Sequence, residues 1–199
     1  MRLVPEWALL SSGCAPLLLV GGWAIAGVLE GPGHDPATTT ISVLAADGAP
    51  GSWVMTGALA ALGICHLLTA WALRPAAPAG RMALACGGVA TLMVAGFPAP
   101  GSGGSLRHGT LAAVGFALLA VWPVLAALRS TTAPWGLRPA PAIGATALMA
   151  LGAAWFLVEL QIQGAAGTAE RTVTLVQNLW PFVVVASCFR HPGREEPGR

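Results

Sequence analysis

The chain has 199 residues, of which 55% are hydrophobic and 9% charged, and its formal net charge is +2. Soluble globular domains carry about 25% charged residues around one apolar core, so a water-soluble fold is excluded: too little charge is present to cover this much apolar surface. All ten basic residues are arginines scattered singly between apolar runs, which leaves no basic patch for phosphates and excludes a nucleic-acid partner.

The first apolar run, Trp7 to Leu29, holds 23 residues without a charge. As a helix it spans roughly 34 Å, enough for a bilayer and too long for the apolar core of a signal peptide. The segment 30–51 that follows is polar and long enough to need structure of its own. Thr39-Thr40 followed by Ile41, Leu44 and Ala45 reads there as a capped short helix that ends near Gly48 and lies along the membrane interface. Further runs cover 52–73, 82–97, 109–128, 142–160 and 172–189, each near the length a spanning helix requires. The expected fold is therefore all-α, a six-transmembrane-helix bundle forming one integral membrane domain over 1–199.

Arg2, Arg74, Arg81, Arg129, Arg138, Arg190, Arg194 and Arg199 fall on one side of these spans, with Arg107 and Arg171 on the other. The positive-inside rule makes the richer side cytoplasmic, which puts both termini inside and a multi-pass protein in the plasma (inner) membrane. Cys14, Cys65, Cys86 and Cys188 lie in apolar runs without ligand or disulfide spacing, so packed reduced thiols are expected. The small pairs Gly22/Ala26, Gly57/Ala61, Ala83/Gly87 and Ala150/Ala154 suit close helix crossings.

Unusual polar residues gather on the outer side. Glu159 ends a charge-free helix with Trp155 and Phe156 one turn back, a setting in which a carboxyl stays protonated more readily. It is the first candidate acid, with Asp35 and Asp47 of the long outer loop as alternatives. Glu170, Thr174, Gln177 and Pro181 lie at helical spacing along the last helix, with Arg171, Thr174 and Asn178 on an adjoining face; facing lipid this polar stripe would be costly, so it is expected to face protein as a pocket wall or a hydrogen-bonded seam. His108 joins the substrate-binding candidates, and Trp23, Trp155 and Trp180 are expected to present ring faces to a cationic intermediate. His34, Asp35, Asp47 and His108 match no ligand spacing, so no metal and no other cofactor is expected. His66, inside the second span, reads as a packed histidine.

Ile41-Ser-Val-Leu-Ala-Ala-Asp-Gly-Ala, Trp53-Val-Met-Thr opening a helix, Gly-Ile-Cys-His66, Gly80-Arg81, Phe97-Pro98, His108 and Glu170-Arg171 occur here in that order. Together they resemble the bacterial membrane family catalogued as domain of unknown function 998, over roughly residues 30 to 190. The resemblance implies a six-helix bundle and no assigned activity.

Three functions fit these residues. An enzyme performing acid-initiated chemistry on a lipid or isoprenoid substrate, in the manner of a terpene cyclase, uses Glu159 or one of the loop aspartates as acid and the tryptophans as shields. A lipid-binding or assembly subunit uses the same outer residues without chemistry, its partner a membrane lipid, a second copy of the chain or another membrane protein. A small transporter fits least, since no charge lies near a midplane. The arginine asymmetry itself is testable: in a cysteine-free background, single cysteines at 77, 133 and 195 should resist an impermeant external thiol reagent, and those at 37, 103 and 166 should react. The reverse pattern overturns the orientation.

Overall fold

Hydrocarbon offers no hydrogen bonds, so a chain that crosses it must pair its backbone internally, and these apolar runs do so as helices. In the computed structural model, which describes residues 3–101 and 104–191, six long helices carry the fold. They are α1 (Trp7–Leu29), α3 (Ser52–Ala72), α4 (Pro78–Gly96), α5 (Leu106–Ala126), α6 (Pro139–Ile162) and α7 (Ala166–Arg190). A short α2 (Ile41–Leu44) and a 3-10 turn, Trp135–Leu137, complete the elements. Arg2, Arg194 and Arg199, with positions 103 and 195, lie outside the described residues.

Each long helix packs beside the next, and α7 returns to α1, closing a ring in chain order. The segments 30–51, 97–105 and 163–165 connect helices at the end that carries α2; 73–77 and 127–138 connect them at the far end. Arg74, Arg81, Arg129, Arg138 and Arg190 thus gather at the far end, and Arg107 and Arg171 at the α2 end. The helices are buried unequally. Of the most apolar window of α6 only 11% is buried, whereas α7 buries Glu170, Gln177, Asn178 and a run of apolar residues.

Several helices extend past the expected bounds. Pro78 and Pro139 start α4 and α6 three or four residues earlier than hydropathy indicates, because proline's fixed φ and missing N–H suit the first helical turn. The largest shift is in α7, which starts at Ala166 and not 172. Hydropathy assigns Glu170 and Arg171 to a loop, but both find protein partners inside the helix. The expected eleven-residue connection shrinks to Gln163, Gly164 and Ala165, with Gln163 left-handed at φ 52° as the α6 C-cap.

The short helix also differs from expectation. Thr40 caps it, accepting from the Val43 N–H at 3.3 Å, but it spans four residues and plugs the bundle end in place of lying along the interface. The reason is its inward face: Ile41, Leu44, Ala45 and Ala46 are buried, and the first three join a core with Ala15, Leu19, Ala26, Met55 and Leu59.

Small residues set the crossings, though not all the expected pairs do so. A Cβ on Gly22 would stand 2.6 Å from Ala58, and one on Gly87 2.7 Å from Leu119. Gly57 has open space around it and Ala150 and Ala154 are exposed, since a small residue permits close approach without compelling it. Glycine faces glycine where α3 crosses α4: a Cβ on Gly63 would meet the Gly88 carbonyl at 2.7 Å and one on Gly88 the Gly63 carbonyl at 2.8 Å. Gly88→Val should therefore cost about 1–3 kcal/mol through overpacking, read as a lower thermal midpoint in detergent, while Gly57→Ala leaves the midpoint unchanged.

Candidate functional site

Residues four and seven or eight apart share one face of a helix, and α7 uses this spacing to present Glu170, Thr174, Gln177 and Asn178 together. Glu170, Gln177 and Asn178 are respectively 4%, 1% and 2% exposed. They form the polar wall of a cavity of about 80 Å³ whose other walls are apolar, among them Leu19 of α1, Leu59 and Leu62 of α3, and Phe116 of α5. Ile41 and Ser42 of α2 cover its end. A buried water needs ~10–15 Å³ by the same measure, so the cavity holds a few waters or one small polar group. A drug-sized ligand needs roughly 300 Å³ or more.

Most of the wall is hydrogen-bonded internally. Thr174 Oγ1 donates to the Glu170 carbonyl at 2.7 Å, Asn178 Nδ2 to the Thr174 carbonyl at 2.7 Å, and Gln177 Nε2 across to the Phe116 carbonyl at 3.0 Å. Asn178 Oδ1 is buried without a partner. Beside it lies His66 of α3, fully buried, its imidazole near the Asn178 amide but outside hydrogen-bonding geometry, so that both ring nitrogens are also unpartnered. One turn along α3, Thr69 meets Ser11 of α1 at 3.1 Å. A column of polar side chains thus runs from Glu170 through the bundle interior toward the far end.

At the α2 end this column is latched to the long connection. The Glu170 carboxylate accepts from the Ile41 N–H and, at 3.3 Å, from the Ser42 hydroxyl. Arg171 Nη1 donates to the carbonyls of Pro36 at 2.8 Å, Thr39 at 2.7 Å and Gly167 at 3.0 Å, and its guanidinium stands 5.8 Å from the Trp23 ring centroid. The Thr168 N–H donates to the Ala37 carbonyl at 3.0 Å. Only glycine fits at 167, where a Cβ would stand 2.4 Å from the Thr39 carbonyl.

The other candidates lie elsewhere. Glu159 is half-buried at the α6–α7 turn, where it accepts from the Trp155 indole at 3.0 Å and the Ala165 N–H at 2.6 Å. It does not line the cavity that Glu170 lines, and the Arg171 guanidinium is engaged by the 30–51 connection. Trp155 is exposed. Trp23 and Trp180 lie toward opposite ends: Trp180 packs against Trp135 of the far end, ring centroids 5.9 Å apart. Asp35 is exposed and accepts from the Ala37 N–H and the Thr38 hydroxyl, both at 2.9 Å, bonds that hold its carboxyl below the usual value. Asp47 is exposed near the 97–105 connection, its N–H donating to the Ala99 carbonyl at 3.1 Å. His108 Nδ1 pairs with the Phe97 carbonyl at 3.1 Å. Among the described residues no three His, Cys, Asp or Glu side chains converge as metal ligands.

The polar residues of α7 stand together on one wall, and the opposite walls carry no signal in the local sequence. Ser42, Thr91 and Phe116 line the cavity without any local signal, and His66 reaches Asn178 only through the α3–α7 contact.

Six long apolar helices closed around a polar interior face define a multi-pass integral membrane protein. The chain belongs to the family described as protein of unknown function DUF998, whose profile matches residues 13–187. No curated protein and no solved structure matches it.

The latch generates a prediction. Arg171→Ala removes three charge-assisted hydrogen bonds, each worth about 1.5–3 kcal/mol where fully formed. Amide exchange across 36–42 should accelerate by tenfold or more (about 1.4 kcal/mol), with the rest of α7 unchanged. Unaltered exchange there would show that α2 is held by its apolar contacts alone.

Proposed function

We propose that this protein takes the polar end of a membrane lipid or apolar small molecule into the interior cavity, with Thr174, Gln177 and Asn178 as recognition wall and α2 as cover. The observation that carries this reading is Asn178, which lines an otherwise largely apolar cavity and whose buried Oδ1, in a side chain beside His66, makes no hydrogen bond. A buried, unpaired acceptor costs about 1–3 kcal/mol, and a ligand hydroxyl or amine that donates to it recovers that cost. Because the cavity is small, a larger ligand displaces Ile41 and Ser42 from Glu170, which couples its entry to movement of α2. In this reading the protein sits in the plasma membrane with both termini cytoplasmic, as its arginine distribution favours.

Acid-initiated chemistry on a lipid or isoprenoid chain is the second reading. What favours it is Glu170, a carboxyl at the cavity that takes the role sequence reasoning gives to Glu159. A ring of tryptophans around that acid does not support it, since Trp155 and Trp180 lie elsewhere.

Lipid extracted from protein purified in mild detergent and identified by mass spectrometry tests both. We expect one lipid class enriched over the bulk membrane, and lost by at least about tenfold in Asn178→Leu while the thermal midpoint stays near that of the unaltered protein. The same lipid profile in both proteins would overturn the binding reading. Glu170→Gln separates the second reading: bound lipid that persists while its conversion stops identifies an acid, and conversion that continues removes the enzyme.

A further inference from the structure

The far end of the bundle carries a different surface. The connection 127–138 does not loop free but folds back as a shelf against α7. Leu137 is fully buried, its carbonyl accepts from the Leu128 N–H at 2.7 Å, and the Gly136 N–H donates to Ser187 Oγ at 3.1 Å. A Cβ at Gly136 would stand 2.9 Å from that hydroxyl and 3.0 Å from Val184, so the shelf and helix approach as closely as glycine permits. Trp135 is held at its edge by a tilted ring contact with Trp180.

Between shelf and helix lies an open groove of about 560 Å³. One end is cationic: Arg138 from the shelf, and Arg190 and His191 from the end of α7. Arg138 spends Nε on the Ala133 carbonyl at 3.0 Å, which orients its guanidinium and leaves the two terminal nitrogens available. Arg190 is exposed. Among the described residues no acidic side chain lines the groove. Its other end is apolar, formed by Phe182, Val183 and Trp135. Eight residues separate Phe182 from Arg190, about 12 Å along the helix axis, so the charged end sits at the helix terminus and the apolar end within the spanning segment.

We infer that this groove binds an anionic phospholipid, its phosphate between Arg138 and Arg190 and an acyl chain along Phe182 and Val183. Guanidinium groups from two elements suit a phosphate because each offers a planar fork of donors. A bare anion has no use for the apolar extension, and a neutral lipid none for the paired arginines. Juxtamembrane arginines recognise anionic headgroups through the same charge attraction. The site is independent of the interior cavity, from which it shares no lining residue.

The test uses purified full-length protein titrated in neutral detergent with phosphatidylglycerol or phosphatidylcholine carrying brominated acyl chains, following quenching of tryptophan fluorescence. Phosphatidylglycerol should quench at concentrations about tenfold or more below phosphatidylcholine, and a large share of that saturable quenching should vanish in Trp135→Phe. Arg138→Gln/Arg190→Gln should remove the preference, and Arg138→Lys/Arg190→Lys should keep part of it. Both side chains are exposed, so a thermal midpoint near that of the unaltered protein will accompany the expected loss. Asn178→Leu should leave the preference intact, separating this site from the interior one. Equal quenching by the two lipids, a preference that survives the double glutamine variant, or competition by inorganic phosphate as strong as by phosphatidylglycerol would each overturn the proposal.

Discussion

Helix α7 brings a carboxylate, a guanidinium, two amides and a hydroxyl into a segment that must lie among apolar neighbours. In hydrocarbon each of these groups would lose its hydrogen bonds, so the helix has to turn its polar face inward and find partners there. Gln177 finds the Phe116 carbonyl, Glu170 the backbone of α2, and Arg171 the carbonyls of Pro36 and Thr39. The ring closes on α7 for this reason. Helix α6, which has no comparable polar stripe, can stay at the periphery with most of its surface toward lipid.

Satisfying α7 organises the α2 end. The 30–51 connection is polar, yet it sends Ile41 and Leu44 into the bundle because its backbone is the partner that Glu170 and Arg171 require. Glycine at 167 and at 51 makes the approach possible, the latter because a Cβ there would stand 2.6 Å from Ala26. Latch, plug and cavity wall therefore share the same residues, Glu170 above all.

The two ends of the bundle use arginine differently. Arg171 is consumed by backbone carbonyls and acts as a structural staple. Arg138 is partly engaged, and Arg190 stands exposed beside the carbonyl end of its helix, where the macrodipole favours a cation. The same side chain thus closes one end of the protein and leaves the other with charge to offer the surrounding membrane.

Six spans, the inward turn of the α7 stripe and a short helix after Thr40 were legible from sequence alone, because each depends on a local pattern: length of apolar run, helical spacing of polar residues, and a capping side chain. The arginine count separated the two ends for the same reason. What stood outside its reach were the partners. Hydropathy cut α7 short at Arg171, since it scores a charge without knowing that Thr39 and Pro36 will meet it. It also ranked Glu159 above Glu170, although the first caps a turn and the second lines the cavity. Whether a carboxyl in a membrane helix ends on a surface turn or in the interior depends on which helix lies opposite. That is settled by closure of the ring and by the glycine contacts that set its spacing, and residues far apart in the chain decide both.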